Sequence, residues 1–210
     1  AAGTNIDVAF RRNNSAAGKI GATSTSFGVG ALSAGASTNS TAIGNNALSV
    51  STGNNNVAVG QNALVNSAST AQWNTAVGTS SLSGINDPAA QNNTAIGFEA
   101  MTGAGNISNV TAVGARALFQ NTANNSTAVG FNALQGQVGG ATGNTGVGAS
   151  VLNNNTNGDN NTAVGNEAGF GVGGSNNTLI GYYAGRFSSG GNNTALGFSA
   201  LSANGASSNS

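Results

Sequence analysis

The sequence predicts an all-β fold, a parallel β-solenoid (β-roll) of about eleven coils, and three observations carry the prediction. A phrase close to Asn-Thr-Ala-Val-Gly recurs along most of the 210 residues, with its glycine at Gly28, Gly44, Gly60, Gly78, Gly97, Gly114, Gly130, Gly148, Gly165, Gly181 and Gly197. Successive glycines lie 16 to 19 residues apart, and a short, nearly fixed period marks stacked repeats. The block from three residues before each glycine to four residues after it never changes length, so the variation falls in the loops between blocks.

Residues 1–24 do not fit the pattern and are expected to form a separate N-terminal connector. The repeat array spans 25–201. Residues 202–210 look like the start of another loop, a C-terminal tail after which the array is expected to continue or to be capped elsewhere. Positions are numbered here relative to the anchor glycine. Position −1 is apolar and mostly β-branched (Ile43, Val59, Val77, Ile96, Val113), which suits a buried strand. Position −3 is Thr in ten coils and shares a face with −1 by the period-2 rule. Position −2 is mostly Ala and, with the anchor glycines, forms an almost side-chain-free face. Position +4 is mostly Leu (Leu48, Leu64, Leu82, Leu118). Both −1 and +4 are apolar and are expected to share one core, so each coil needs two short strands and a bend between them. Glycine supplies the bend. The Asn-Asn before each Thr, as in Asn92-Asn93, closes the return loop, because Asn tolerates left-handed backbone. The longest inserts, Ser67–Trp73 and Gly84–Gln91 with Pro88, also fall in the loops. At about 4.8 Å per coil, the rod would be roughly 50 Å long.

Composition narrows the chemistry. Only 5% of residues are charged and the net charge is zero, so no cluster of Lys and Arg exists along the array to neutralise phosphates. No nucleic-acid partner is expected. Cysteine and histidine are absent, which removes disulfides, thiolate or imidazole metal sites and His-dependent triads. No apolar run reaches the 18 or so residues of a membrane helix, and no membrane insertion is expected. Gly and Asn make up about a third of the chain, a composition that often signals disorder. The columns argue otherwise, since stacked repeats bury a core that no single repeat can.

The phrase Asn39–Gly44, Asn-Ser-Thr-Ala-Ile-Gly, resembles the Asn-Ser-Val-Ala-Ile-Gly phrase in the head repeats of trimeric autotransporter adhesins. Residues 176–185, Asn-Asn-Thr-Leu-Ile-Gly-Tyr-Tyr-Ala-Gly, look even more like repeats of phage tail fibres and bacterial surface proteins. The resemblance covers about 25–201. It implies left-handed parallel β-rolls assembled as homotrimers, although the coils here are longer than those of the adhesins. It also implies a structural fibre module of a phage virion, or alternatively the head segment of a bacterial surface adhesin. Either belongs on a virion, outside the cell or at its surface. Further partners would be virion or surface proteins, met through the N-terminal segment, and a host-surface glycan.

Position +2 reads as outward-facing: Asn46, Asn62, Ser80, Glu99, Arg116, Asn132, Ser150, Glu167, Tyr183 and Ser199. Glu99 and Arg116 are neighbours on successive coils and are expected to form a surface ion pair worth roughly 0–1 kcal/mol. Of the acids Asp7, Asp87, Glu99, Asp159 and Glu167, only Asp159 and Glu167 share a coil. A glycosidase dyad needs two carboxyls about 5–10 Å apart, and one of these lies in a loop, the other near the bend. No catalytic residue, metal or cofactor is assigned, and the chain is read as a non-enzyme. Position +1 carries Phe98, Phe131, Tyr182 and Phe198, which either fill a seam between chains or stack on a ligand. With Tyr183 and the loop residue Trp73, they are the candidate ligand or seam contacts. Gly171–Gly174 lacks the Lys and Ser/Thr of a phosphate loop.

A third function class is an ice-binding solenoid, suggested by the repeated Thr. It requires Thr to point outward on a flat face, whereas the inward phase above hides it.

Overall fold

The computed structural model describes residues 8–12, 15–33, 37–50, 52–65, 70–85, 90–103, 105, 107–120, 122–136, 140–155 and 157–202. Pro88, Asp7, Asp87 and parts of both long inserts lie outside the described residues. The array is a parallel β-solenoid, with no helix among the described residues. One sheet holds thirteen strands in chain order. The first two form a hairpin, β1 (Val8–Arg12) and β2 (Ser15–Ile20). Eleven three-residue strands follow, β3 (Thr25–Phe27) to β13 (Thr194–Leu196), and each occupies positions −3 to −1 of its coil. They pair in parallel and in register, Thr against Thr and Val against Val. Nine of them, β4–β12, have a parallel neighbour on both sides.

The N-terminal stretch is not a separate connector throughout. β2 pairs antiparallel with β3, so Ile20 lies opposite Thr25 and Gly18 opposite Phe27. Phe10 packs on Phe27, ring centroids 5.2 Å apart. The hairpin thus covers the first strand edge, which would otherwise present unpaired backbone groups.

Each coil has one strand, not two. Beyond the anchor the chain runs through turns in which positions +2 and +4 take positive φ; Asn62 is at 56° and Leu64 at 52°. Ladder-like bonds continue through these turns nonetheless. Asn62 N–H donates to Asn45 O at 2.9 Å, and Leu48 N–H donates to Ala63 O at 3.0 Å. A leucine in left-handed backbone costs roughly 1–2 kcal/mol. Full burial of Leu48, Leu64, Leu82, Leu118, Leu134 and Leu152 offsets it.

The expected inward phase of the strands is reversed. The −2 alanines Ala42, Ala58, Ala76, Ala95, Ala112, Ala128 and Ala163 are fully buried. So are most of the +3 alanines, Ala47, Ala63, Ala100, Ala117 and Ala133 among them, and these meet the Leu column to form the core. The −1 residues Ile43, Ile96, Val129, Val147, Val164 and Ile180 stand outside, 36–41% exposed. Cross-sectional space decides this. A coil of 16 to 19 residues encloses room for one Leu and two Ala, and the branched residues must face out.

Two departures from the repeat show how tight the section is. Where Val151 replaces Ala at +3, position −2 of the same coil is Gly146, and a methyl there would collide with Leu134 and lie 2.9 Å from Val151 Cγ1. Where Leu179 replaces Ala at −2, position +4 is Gly in its own coil and in the one before. A methyl on Gly185 would lie 2.5 Å from Leu179 Cδ2, and one on Gly169 would lie 3.0 Å from Leu179 Cδ1. Volume is conserved per section, as close packing requires.

The anchor glycine is needed for a second reason besides bending. Gly114 sits at φ 133°, and a Cβ on it would collide with the carbonyl oxygen of Gly130 in the next coil. Successive coils touch backbone to backbone here.

The Asn-Asn pairs divide into two jobs. The first Asn takes left-handed backbone, as at Asn92 and Asn176 with φ 59° and 62°. The second is buried and forms a ladder along the rod. Asn74 N–H donates to Asn56 Oδ1 at 2.9 Å, and Asn93 N–H donates to Asn74 Oδ1 at 3.1 Å. Each amide Nδ2 also donates to a loop carbonyl, Asn74 to Ala90 O at 3.2 Å and Asn93 to Ile107 O at 3.0 Å. Loops of different length are therefore pinned by one device. Asn74→Ala would strand the Asn93 N–H and the Ala90 carbonyl in the interior. We expect a loss of about 1–3 kcal/mol, read by denaturant unfolding, while Asn92→Gly on the exposed side, where glycine tolerates the φ of 59°, changes stability far less.

Candidate functional site

Two outer surfaces result from this folding. The first is the flat face of the strands, where Thr at −3 and Val or Ile at −1 stand side by side along the rod. Thr41, Thr75, Thr94, Thr111, Thr127 and Thr145 are half-buried, and Thr162, Thr178 and Thr194 are exposed. The face is continuous through ten parallel pairings and carries no charged residue. The almost side-chain-free outer face expected from the −2 alanines and anchor glycines does not exist, because the alanines point into the coil.

Beyond the glycine bend lie the +1 aromatics, all exposed: Phe98 (50%), Phe131 (57%), Tyr182 (44%) and Phe198 (76%). Phe98 and Phe131 stand on separate coils with one coil between them. Tyr182 and Phe198 meet, with parallel rings 5.5 Å apart at an interplanar angle of 3°. Tyr183 joins them, its ring centroid 3.9 Å from that of Tyr182.

The second surface carries the +2 and +5 side chains. Arg116 Nε donates to Glu99 Oε2 at 2.7 Å, the ion pair the sequence indicated. Arg116 also lies 5.7 Å from the Phe119 ring centroid. A second pair that sequence reading did not name joins Arg186 and Glu167, with Nε 2.8 Å from Oε2 but without hydrogen-bond geometry. Arg186 is further surrounded by the rings of Phe187 (4.5 Å), Tyr183 (4.6 Å) and Phe170 (5.6 Å), all within cation–π range. The signal is present in the sequence, since Glu167 and Arg186 lie on adjacent coils, but at the unequal positions +2 and +5, which no single column brings together. The Tyr182 phenol is raised above its usual value, chiefly by a side-chain hydrogen bond with Tyr183, then by desolvation and the nearby negative charge.

The two acids of one coil are each engaged structurally. Asp159 Oδ1 accepts from Thr142 N–H at 2.7 Å, and Glu167 faces Arg186. Among the described residues, no three His, Cys, Asp or Glu side chains gather around a point that could hold a metal ion.

Trp73 is half-exposed and stands at position −5, where neighbouring coils carry Asn55 and Asn92. Its φ is 56°, a left-handed backbone that bulky residues rarely adopt. Trp73→Asn is therefore expected to raise stability by about 1 kcal/mol, seen as a higher midpoint in chemical unfolding. A lower midpoint would mean that the indole packs usefully on its loop.

At the N-terminal end, the hairpin and the first coil enclose a cleft with compartments of about 230 and 300 Å³. Lys19, Ser26 and Leu32 line both. Leu32 heads the Leu column and is only half-buried, so the cleft is the open top of the core.

Comparisons with protein-family models, with curated proteins and with solved structures found no match to this chain.

Proposed function

We propose that this chain is a non-enzymatic fibre module of a virion, working as a parallel homo-oligomer outside the cell. The observation that carries the proposal is the outward Thr/Val face. A stripe of branched apolar side chains along ten coils is far larger than the scattered apolar residues of ordinary surfaces, and such patches mark interaction sites. A second copy, in the same orientation, presents the same uncharged, flat stripe. The number three comes from the resemblance to adhesin and fibre repeats, and a bacterial adhesin head would use the face in the same way. Repetition of one structural coil sets length and spacing, while each carboxylate of the Asp159 and Glu167 pair is engaged in structure.

Sedimentation equilibrium tests this. The wild-type chain is expected as a trimer at micromolar concentration. Val129→Asp with Val147→Asp, which add charge to the stripe, should yield monomers with unchanged far-ultraviolet circular dichroism. A wild-type monomer would overturn the proposal.

One observation favours a second reading, ice binding, because the Thr column faces outward after all. The two readings compete for the same face. Half-exposed Val and Ile beside the Thr, and protruding Phe98 and Phe131 at the corner, suit a partner chain better than a planar lattice. Thermal hysteresis in the wild-type solution, lost on replacing Thr111 and Thr127, would reverse this preference.

A further inference from the structure

The chain has eleven aromatic residues, and five of them fall within 170–198. They touch one another in sequence across three coils. Phe198 stacks on Tyr182, Tyr182 on Tyr183, Tyr183 on the Arg186 guanidinium, Arg186 on Phe187, and Phe187 meets Phe170 edge-on at 5.7 Å. The band begins at the corner and runs along the second surface, away from the Thr/Val stripe. The corresponding positions in coils anchored at Gly44 and Gly60 hold Asn45, Asn46, Gln61 and Asn62. Three of the rings, Tyr182, Phe187 and Phe198, are exposed. A core does not use rings in this way, and the coil interior is filled by Ala, Leu and Gly.

We infer that this band is a binding platform for an uncharged polysaccharide. A pyranose presents an apolar C–H face and a rim of hydroxyls. Flat exposed rings match the first, and the Tyr hydroxyls, the Glu167 carboxylate and the guanidinium N–H groups match the second. Charge selects among ligands that stack on rings. Arg186 is neutralised by Glu167 at 2.8 Å, so an anionic sugar or a nucleic acid gains no net attraction. The guanidinium also holds three rings in place, which lowers the ordering cost of binding. The platform extends over three coils, so it suits a chain of sugars rather than a single residue. Its central anchors, Tyr183, Arg186 and Phe187, stand at +2, +5 and +6, past the +1 corner that borders the stripe, so the inference does not depend on the oligomeric state.

Native electrophoresis of the whole chain in gels cast with neutral polysaccharide (β-glucan, galactomannan, dextran or xylan, each in turn) tests it. Retardation is expected in at least one, weakened about tenfold or more by Tyr183→Ala with Phe187→Ala, as for central aromatic anchors. Gln61→Ala, an exposed position on a distant coil without aromatics, should leave retardation unchanged. Sedimentation and circular dichroism of the double variant should match the wild type, which separates loss of the platform from loss of assembly or fold. No retardation in any of the four gels would overturn the inference. So would equal retardation of the double variant, or retardation only in gels of an acidic polysaccharide such as alginate.

Discussion

Ala112→Asp is expected to destroy the fold, and Val113→Asp, one residue along, to leave it standing. Ala112 is the centre of β8, fully buried, with Ala95 and Ala128 as its in-register neighbours. The section around it is so full that Ala becomes Gly where a neighbour gains two methyls, as at Gly146. A carboxylate there would be both too large and uncompensated. The charge alone costs several kcal/mol, against a total stability of about 5–15 kcal/mol for a typical domain. Each coil of a solenoid is held mainly by its neighbours, so damage at β8 divides the array near its middle. Val113 points outward and is only half-buried, and its carboxylate variant can reach water. Far-ultraviolet circular dichroism during thermal melting decides the matter. The Ala112→Asp variant should lack the cooperative transition, and the Val113→Asp variant should keep it while failing to assemble. Equal melting of both would restore the phase in which Val fills the core.

That reversal of phase shows how far the sequence could be read. Period, strand position and loop placement were legible because they need only alignment: each strand from β3 to β13 begins and ends at the same two positions relative to its glycine. The direction of each column was not. Bulk and β-branching pointed to Val as the buried residue, and this holds in a wide core. Here the coil is too narrow, and Ala is selected inward by size. The local clue was in the exceptions, Gly146 beside Val151, and Leu179 beside Gly169 and Gly185, where size trades between columns that share the interior. No propensity scale would place Leu64 at φ 52° or make a ladder of buried Asn, since both exist only because the next coil is stacked on top. The Glu99–Arg116 pair was legible because it joins equal positions. The band around Arg186 joins unequal ones and needed the folded chain.

The same exceptions give the second large effect. Leu179→Ala should cost about 2–5 kcal/mol, because the two positions that could fill the space, Gly169 and Gly185, have no side chains. Gly185→Leu alone should also destabilise, since its Cβ would lie 2.5 Å from Leu179 Cδ2 and 2.7 Å from Cδ1. Together, the two changes should recover most of either loss. They recreate the Ala at −2 and Leu at +4 of the other coils, and the backbone at Gly185 is already suitable. Its φ is 63°, while Leu and Met at this position elsewhere range from 46° to 55°. Gly169 stays empty in the double variant, so a small deficit should remain. The coupling between contacting residues in such cycles is about 0.5–3 kcal/mol, and this pair belongs at the upper end. Chemical unfolding of the wild type, both single variants and the double gives the value directly. Additive losses would mean that Leu179 and the +4 column do not share one space, and the conserved-volume account of the core would fail with them.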